Sequence, residues 1–193
     1  MTDSEIFKSL DGVEYGFWDF TKNKAISWYS KIWKEEEKTN NWVYTDTHCC
    51  VSKPEDLIKR KVGTCWDTSL YIKYMLDKNG YTSQMLWLEY CIPKEDENRT
   101  HTTVIYKDKS NLWCWMEYSW YSHRGIYKGL LNKDKLIKKI KDMWITDGKI
   151  KKTTYFNEDV PITNLLKLNI ITFNDFLING GSKCTLIGEQ VDL

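Results

Sequence analysis

One cysteine of this chain stands where a nucleophilic thiol is expected. Of the six cysteines in the sequence, Cys65 alone follows a helix-start signal, the capping box formed by Thr64 and Asp67. The positive end of a helix stabilises a thiolate, which is the nucleophilic form of cysteine. The sequence therefore predicts Cys65 as a nucleophile. It also predicts that most of the thiols are free, because their spacing shows no disulfide framework.

A cysteine nucleophile needs a base within reach, and the base needs a third group to orient it. Two strands predicted after the helix carry the matching residues, His101 and Glu117. If their hairpin turns about Lys109, His101 lies directly opposite Glu117, with Cβ atoms roughly 4.5 to 5.5 Å apart. Glu117 then holds the imidazole in one tautomer. A one-residue slip of this register would separate the two side chains.

The elements that must position these residues are a buried helix and a three-stranded antiparallel meander. The helix begins at Cys65, continues through an almost entirely apolar segment and stops at Asn79-Gly80. Strands are predicted over residues 81–92, 101–106 and 112–120, with a polar loop over 93–100 and a turn over 108–111. Further helices are predicted over 4–10, 54–60, 132–144 and 172–179. The predicted class is α+β.

Composition restricts the classes of protein that fit. The 193 residues are 41% hydrophobic and include 10 Trp, which predicts a folded single domain. The net charge of +1 gives no global field that would recruit nucleic acid or an anionic membrane. Without a signal-peptide pattern or an 18-residue apolar run, the chain is expected to be cytoplasmic. The excess of Lys over Arg is typical of a low-GC bacterium or its virus.

Three segments together resemble the transglutaminase-like (papain-like) cysteine protease superfamily. They are Gly63-Thr-Cys65-Trp-Asp67, His101-Thr-Thr-Val-Ile-Tyr106 and Trp113-Cys-Trp-Met-Glu117-Tyr-Ser119. That family shows G-x-C at a helix start, H-x-W-V-x-V on one strand and W-x-x-x-D-x-T on the next. This chain has Thr103 where the family commonly has Trp, and Glu117 where it usually has Asp.

The resemblance implies a fold and a set of roles. The fold is a papain-like α+β domain over residues 1–193, with a core at about 54–121 and elaborations over 1–53 and 122–193. Cys65 would be the nucleophile, His101 the general base and acid, and Glu117 the orienting carboxylate. The family implies no metal and no other cofactor.

Acyl transfer also needs hydrogen-bond donors for an oxyanion and walls for a substrate cleft. The Cys65 backbone N–H is one predicted donor, and Trp42 or Tyr44 is the predicted second. No Gln precedes Cys65, which excludes a papain-type glutamine donor. The predicted walls of the cleft are aromatic side chains, two of them on the same strand face as the carboxylate: Trp66, Trp113 and Trp115.

Two other sequence motifs are interpreted as structural segments without a functional site. His48-Cys49-Cys50 has no second ligand pair at zinc spacing, so no metal site is predicted. Residues 128–152 hold nine Lys and three Asp, a basic stretch that is only a weak candidate for nucleic acid. A solvated face of an amphipathic helix is the better interpretation.

The predicted function is thiol-dependent acyl transfer at an amide bond of a protein or peptide substrate, with no membrane partner. Hydrolysis, deamidation and transglutaminase-type exchange all use this chemistry. An alternative is an inactive member of the same fold, possibly viral, whose aromatic cleft binds a protein or peptide. A more remote alternative, an acyl-CoA-dependent acetyltransferase, would need a nucleotide site that the sequence does not show.

Overall fold

The described part of the chain combines four α-helices with two β-sheets. The computed structural model describes residues 1–19, 23–27, 52–91, 98–130, 132–146 and 166–171. Its helices are α1 (Asp3–Ser9), α2 (Pro54–Arg60), α3 (Cys65–Lys78) and α4 (Lys133–Thr146). Its strands are β1 (Glu14–Asp19), β2 (Lys24–Ser27), β3 (Val62–Gly63), β4 (Thr82–Cys91), β5 (Asn98–Lys107), β6 (Trp113–Glu117), β7 (Gly125–Leu130) and β8 (Leu166–Ile171). The predicted α+β class is confirmed.

The main sheet contains the predicted meander. Its strand order is β7-β6-β5-β4-β8 and every neighbouring pair is antiparallel. β5 begins at Asn98, earlier than predicted, because Asn98 already pairs with Cys91 of β4. β6 ends at Glu117, earlier than predicted, because the Glu117 carboxylate accepts the Trp120 N–H and turns the backbone. A second sheet, in the order β2-β1-β3, lies near the N-terminus.

The β5–β6 hairpin has a different register from the one predicted. Val104 pairs with Met116. The centre of the turn therefore lies one residue closer to the C-terminus than predicted, and each residue of β5 pairs with a residue of β6 two positions later than predicted. The predicted direct pairing of His101 with Glu117 is therefore wrong. Because strand side chains alternate with a period of two, the even shift keeps both side chains on one face. They are diagonal neighbours instead of direct partners.

Asp108 fixes the centre of this turn. Its carboxylate accepts the backbone N–H groups of Ser110 at 2.9 Å and Leu112 at 3.0 Å. Asn111 adopts a left-handed backbone with φ of 61°, a conformation that Asn tolerates better than most residues. These side-chain bonds select the turn, and the strand pattern alone does not reveal them.

The main hydrophobic core lies between the sheet and the helices α1, α2 and α3. The larger contributors from the helices and the turn after α1 are Ile6, Leu10, Val13, Leu57, Leu70, Ile72 and Leu76. The strands contribute Met85, Val104, Tyr106, Cys114 and Met116. The N-terminal helix thus belongs to the same core as the helix that begins at Cys65.

The helix α4 covers the other face of the main sheet. Among the α4 side chains that the structure describes, Leu136 and Ile140 are buried, as the amphipathic pattern predicts. The Lys139 ammonium lies 5.8 Å from the Tyr127 ring centroid on β7. Lysine side chains of the basic stretch over residues 128–152 therefore pack against aromatic rings of the sheet.

Some predicted elements cannot be compared with the structure. The helix predicted over 172–179 and the candidate oxyanion donors Trp42 and Tyr44 lie outside the described residues. Within the described ranges, none of the helices has the length and hydropathy needed to cross a lipid bilayer.

Gly63 provides a test of the packing that brings α2 against the start of α3. A Cβ at this position would lie 2.5 Å from Leu57 Cδ1 and 2.8 Å from Asp67 Cβ. We therefore expect Gly63→Ala to lower the free energy of unfolding by about 1 to 3 kcal/mol, measured by urea denaturation.

Gly125→Ala is the matched control for this substitution. Its added Cβ would meet only Tyr127 Cε2, at 3.8 Å, so we expect a change within about 0.5 kcal/mol. Equal denaturation midpoints for the two variants would contradict the packing described for Gly63.

Candidate active site

Three side chains from separate elements meet at the N-terminus of α3. Cys65 is the first residue of this helix, His101 lies on β5, and Glu117 is the last residue of β6. His101 Nε2 lies 2.9 Å from Glu117 Oε2, and the Cys65 side chain interacts electrostatically with the same imidazole. The imidazole therefore bridges a thiol and a carboxylate.

All three side chains are shielded from solvent, which strengthens the electrostatic interaction between them. Cys65 is 5% exposed, His101 7% and Glu117 1%. Burial acts to lower the pKa of His101, but the Glu117 charge, its hydrogen bond with the ring and the interaction with Cys65 outweigh it. They raise the pKa of His101 to about 10. At neutral pH the ring is therefore an imidazolium.

The Glu117 carboxylate is held in its charged form. Burial acts to raise the pKa of Glu117, whereas the His101 charge and the hydrogen bonds from described neighbours lower it below its usual range. These donors are the His101 ring and the Trp120 backbone N–H at 2.9 Å. Sequence reasoning did not identify Trp120 as part of the site. Its signal in the sequence is its position, three residues after Glu117.

Two hydroxyl contacts fix the helix relative to the two strands. The Thr68 and Ser119 hydroxyls are 2.6 Å apart, joining the first turn of α3 to the segment just after Glu117. The Ser69 hydroxyl donates to the Thr102 carbonyl at 2.9 Å, beside His101. These contacts set the position of the thiol against its base. In the sequence their signal is a pair of hydroxyl residues within an otherwise apolar helix.

The cap of α3 forms as predicted, and the Cys65 amide lies at the tip of this helix. The Thr64 hydroxyl accepts the Trp66 N–H at 3.3 Å, and the Asp67 carboxylate accepts the Thr64 N–H at 2.6 Å. Asp67 also accepts the Ser52 N–H at 2.5 Å, and burial raises its pKa despite these hydrogen bonds. The Cys65 N–H belongs to the first turn, where amides have no partner inside the helix.

The predicted cleft walls have different environments. Trp115 is fully buried and stacks on Tyr127 with centroids 4.5 Å apart. The structure places this predicted cleft-wall residue within the packing between the main sheet and α4. Trp113 is half-buried between the Lys107 and Lys133 ammonium groups, at 5.4 and 5.3 Å.

Trp66 is the predicted wall residue that lies next to the thiol in sequence. It is half-buried and packs against the main core. Among the described residues, no cluster of three or more His, Cys, Asp or Glu side chains is arranged to hold a metal ion. The His48-Cys49-Cys50 motif lies outside those residues.

Comparison with known proteins assigns no family to this chain. No family model, no curated protein and no solved structure matches it. The geometry of the three side chains and the motif resemblance therefore carry the functional inference.

The charged His101–Glu117 pair predicts a loss of stability at alkaline pH. The His101 pKa is raised from 6.5 to about 10, so the folded protein keeps a proton that the unfolded chain releases. The resulting stabilisation is complete below about pH 6.5 and disappears as the pH rises through about 10. Urea unfolding across this range measures the loss.

Glu117→Gln is the matched variant for this pH dependence. Without the carboxylate charge the imidazole loses its main reason to stay protonated, so the variant's free energy of unfolding should fall less steeply with pH. Titratable groups that the parent and the variant share contribute equally to both pH profiles, so they cancel when the two free energies of unfolding are subtracted. Parallel pH profiles for the parent and the variant would show that Glu117 does not hold the proton on His101.

Proposed function

We propose that this chain is a thiol-dependent acyl-transfer enzyme with a papain-like, transglutaminase-like fold. Cys65 is the nucleophile, His101 the general base and acid, and Glu117 the orienting carboxylate. The observation that carries the proposal is that one buried imidazole lies 2.9 Å from the Glu117 carboxylate and interacts electrostatically with Cys65 at the start of α3. This is the arrangement that an activated cysteine requires.

The first half-reaction forms a thioester. The Cys65 thiolate attacks the carbonyl carbon of a carboxamide or peptide bond, a C–S bond forms, and the carbonyl electron pair moves onto oxygen. When the tetrahedral adduct collapses, the C–N bond breaks and the leaving nitrogen takes the proton of the His101 imidazolium. The products are an amine, a neutral imidazole and an acyl group on Cys65.

The second half-reaction releases the acyl group. Neutral His101 removes a proton from water, the resulting hydroxyl attacks the thioester carbonyl, and the C–S bond breaks to restore thiolate and imidazolium. Water gives hydrolysis, or deamidation when the substrate is a primary amide. An amine in place of water gives transamidation. Both outcomes use the same three side chains.

Stabilisation of the oxyanion is assigned to the start of α3. The Cys65 N–H points from the first turn of the helix, where the aligned peptide dipoles carry partial positive charge. A backbone donor at this place can stabilise negative charge that develops on the substrate oxygen. The cap by Thr64 and Asp67 supports this role because it fixes the geometry of that turn.

The proposal predicts selective alkylation of Cys65. At about pH 6 to 7, where an unperturbed thiol is almost fully protonated, iodoacetamide is expected to label Cys65 faster than the other thiols. Cys114 is the internal control, because it is fully buried and burial raises its pKa. His101→Ala is expected to slow the labelling of Cys65 at least about tenfold. Peptide mass spectrometry measures both rates.

Uniform labelling of the cysteines, or labelling of Cys65 that is unaffected by His101→Ala, would reject the nucleophile assignment. That result would favour the alternative of an inactive fold that binds a protein or peptide.

A second prediction concerns the acyl-transfer step itself. With p-nitrophenyl acetate as a generic acyl donor, the parent protein is expected to form an acetyl thioester on Cys65 and release p-nitrophenol. Glu117→Gln is expected to keep the fold but slow this step by about 10²- to 10⁴-fold, since an amide cannot stabilise an imidazolium. Cys114→Ser is the control and is expected to react like the parent. Acylation of Glu117→Gln at the parent rate would mean that another group orients His101.

A further inference from the structure

An arginine closes the loop that follows Glu117. This loop, over residues 118–124, connects β6 to β7. The Arg124 Nε–H donates to the Tyr118 carbonyl at 2.7 Å, which joins the last residue of the loop to the first. The same loop carries Trp120, whose backbone N–H donates to Glu117 Oε1 at 2.9 Å. The arginine therefore closes the segment that presents a donor to the orienting carboxylate.

The Arg124 side chain has a defined position over this loop. Its guanidinium carbon lies 3.9 Å from the centroid of the Tyr118 ring and 5.4 Å from that of the Tyr121 ring. The Tyr118 side chain is buried, and its hydroxyl donates to the Leu10 carbonyl at 2.6 Å. Stacking on an aromatic face restricts a planar guanidinium. Through Arg124 and Tyr118 the loop is anchored to the end of α1.

The structure uses the donor of Arg124 and not an ion pair. Arg124 is exposed, and the ion pairs within the described part of the chain are formed by other side chains. A hydrogen bond to a carbonyl has a preferred direction, whereas an exposed charge is screened by salt. The contribution of Arg124 to the loop is therefore one of geometry.

Other backbone bonds in this loop are more local. The His123 N–H donates to the Trp120 carbonyl at 2.8 Å, and the Arg124 N–H donates to the Tyr121 carbonyl at 3.4 Å. Each of these bonds spans three residues, and neither reaches back to Tyr118. The bond from the Arg124 side chain is the one that joins the short turn to the end of β6.

We propose that Arg124 is a positioning residue for Glu117. By tying Tyr118 to the end of the loop, Arg124 keeps the Trp120 N–H directed at the carboxylate that orients His101. A hydrogen bond to a charged acceptor is stronger than one between neutral groups, so a displaced loop would give up a strong bond. The importance of Arg124 for catalysis rests on the function proposed above, whereas its effect on the loop does not.

Two substitutions separate the donor of Arg124 from its charge. Arg124→Met has a chain of similar length without a donor, and Arg124→Gln places an amide N–H at the position of Nε without the charge. The readout is hydrogen exchange of the Trp120 backbone amide in the full chain, relative to the Ile72 amide in the buried middle of α3. In Arg124→Met, exchange at Trp120 is expected to become about tenfold faster relative to Ile72. Arg124→Gln is expected to keep most of the protection.

Arg60→Met is the matched control. The Arg60 guanidinium also lies over an aromatic ring, that of Trp18, at 5.2 Å, but Arg60 belongs to α2. This variant is expected to exchange like the parent at Trp120. Parent-like exchange at Trp120 in Arg124→Met overturns the proposal. An equal rise in Arg124→Met and Arg124→Gln also overturns it, because the charge and not the donor would then hold the loop. A purely structural role would speed exchange at Trp120 and Ile72 alike.

The exchange measurement and the reactivity of the thiol can fail separately. An unreactive Cys65 in the parent, together with faster exchange at Trp120 in Arg124→Met, would reject the proposed function and keep the role of Arg124 in the loop. In a reactive protein, Arg124→Met is expected to slow acylation by p-nitrophenyl acetate by about three- to tenfold, and Arg124→Gln is expected to stay close to the parent rate. Equal acylation rates in the parent and Arg124→Met would overturn the positioning role toward Glu117.

Discussion

The rest of the site depends on the buried ion pair between His101 and Glu117. Both groups are almost fully removed from water, and transferring two charges into such surroundings costs several kcal/mol per ion. The structure offsets this cost with a 2.9 Å hydrogen bond between them and with the Trp120 backbone N–H, which also donates to the carboxylate. Removing one partner of a buried pair typically costs about 3 to 5 kcal/mol, because the remaining group must either stay charged without compensation or change its protonation state. This pair keeps the imidazole charged and facing Cys65.

Packing on both faces of the main sheet creates the environment of this pair. The helix α3 and the N-terminal helix α1 cover one face, and α4 covers the face that carries Trp115. Hydroxyl contacts from consecutive residues of α3 then set the distance between helix and strands. Thr68 bonds Ser119 beyond β6, and Ser69 bonds the β5 backbone next to His101. These directional hydrogen bonds resist sliding of α3 along the sheet, which hydrophobic contacts alone do not prevent.

Sequence reasoning predicted those parts of the structure that depend on local signals. The capping box at Thr64, the helix at Cys65 and the antiparallel strands follow from nearest-neighbour chemistry and from the alternation of side chains. The register of the hairpin does not follow from these local signals. The Asp108 side chain selects the turn, and the alternation of side chains along the strands does not reveal this. The burial of Trp115 was missed because it depends on α4, an element distant in sequence.

The most direct test of this account is the protonation state of His101 in the folded protein. An NMR titration of its ring nitrogens, with the resonances assigned by His101→Gln, measures the pH at which the imidazolium loses its proton. The account predicts a midpoint near pH 10, so that both ring nitrogens remain protonated at pH 8. In Glu117→Gln the midpoint should fall, because the charge that holds the proton is gone. A midpoint at or below the ordinary value of about 6.5 in the parent protein would contradict the buried ion pair on which the site depends.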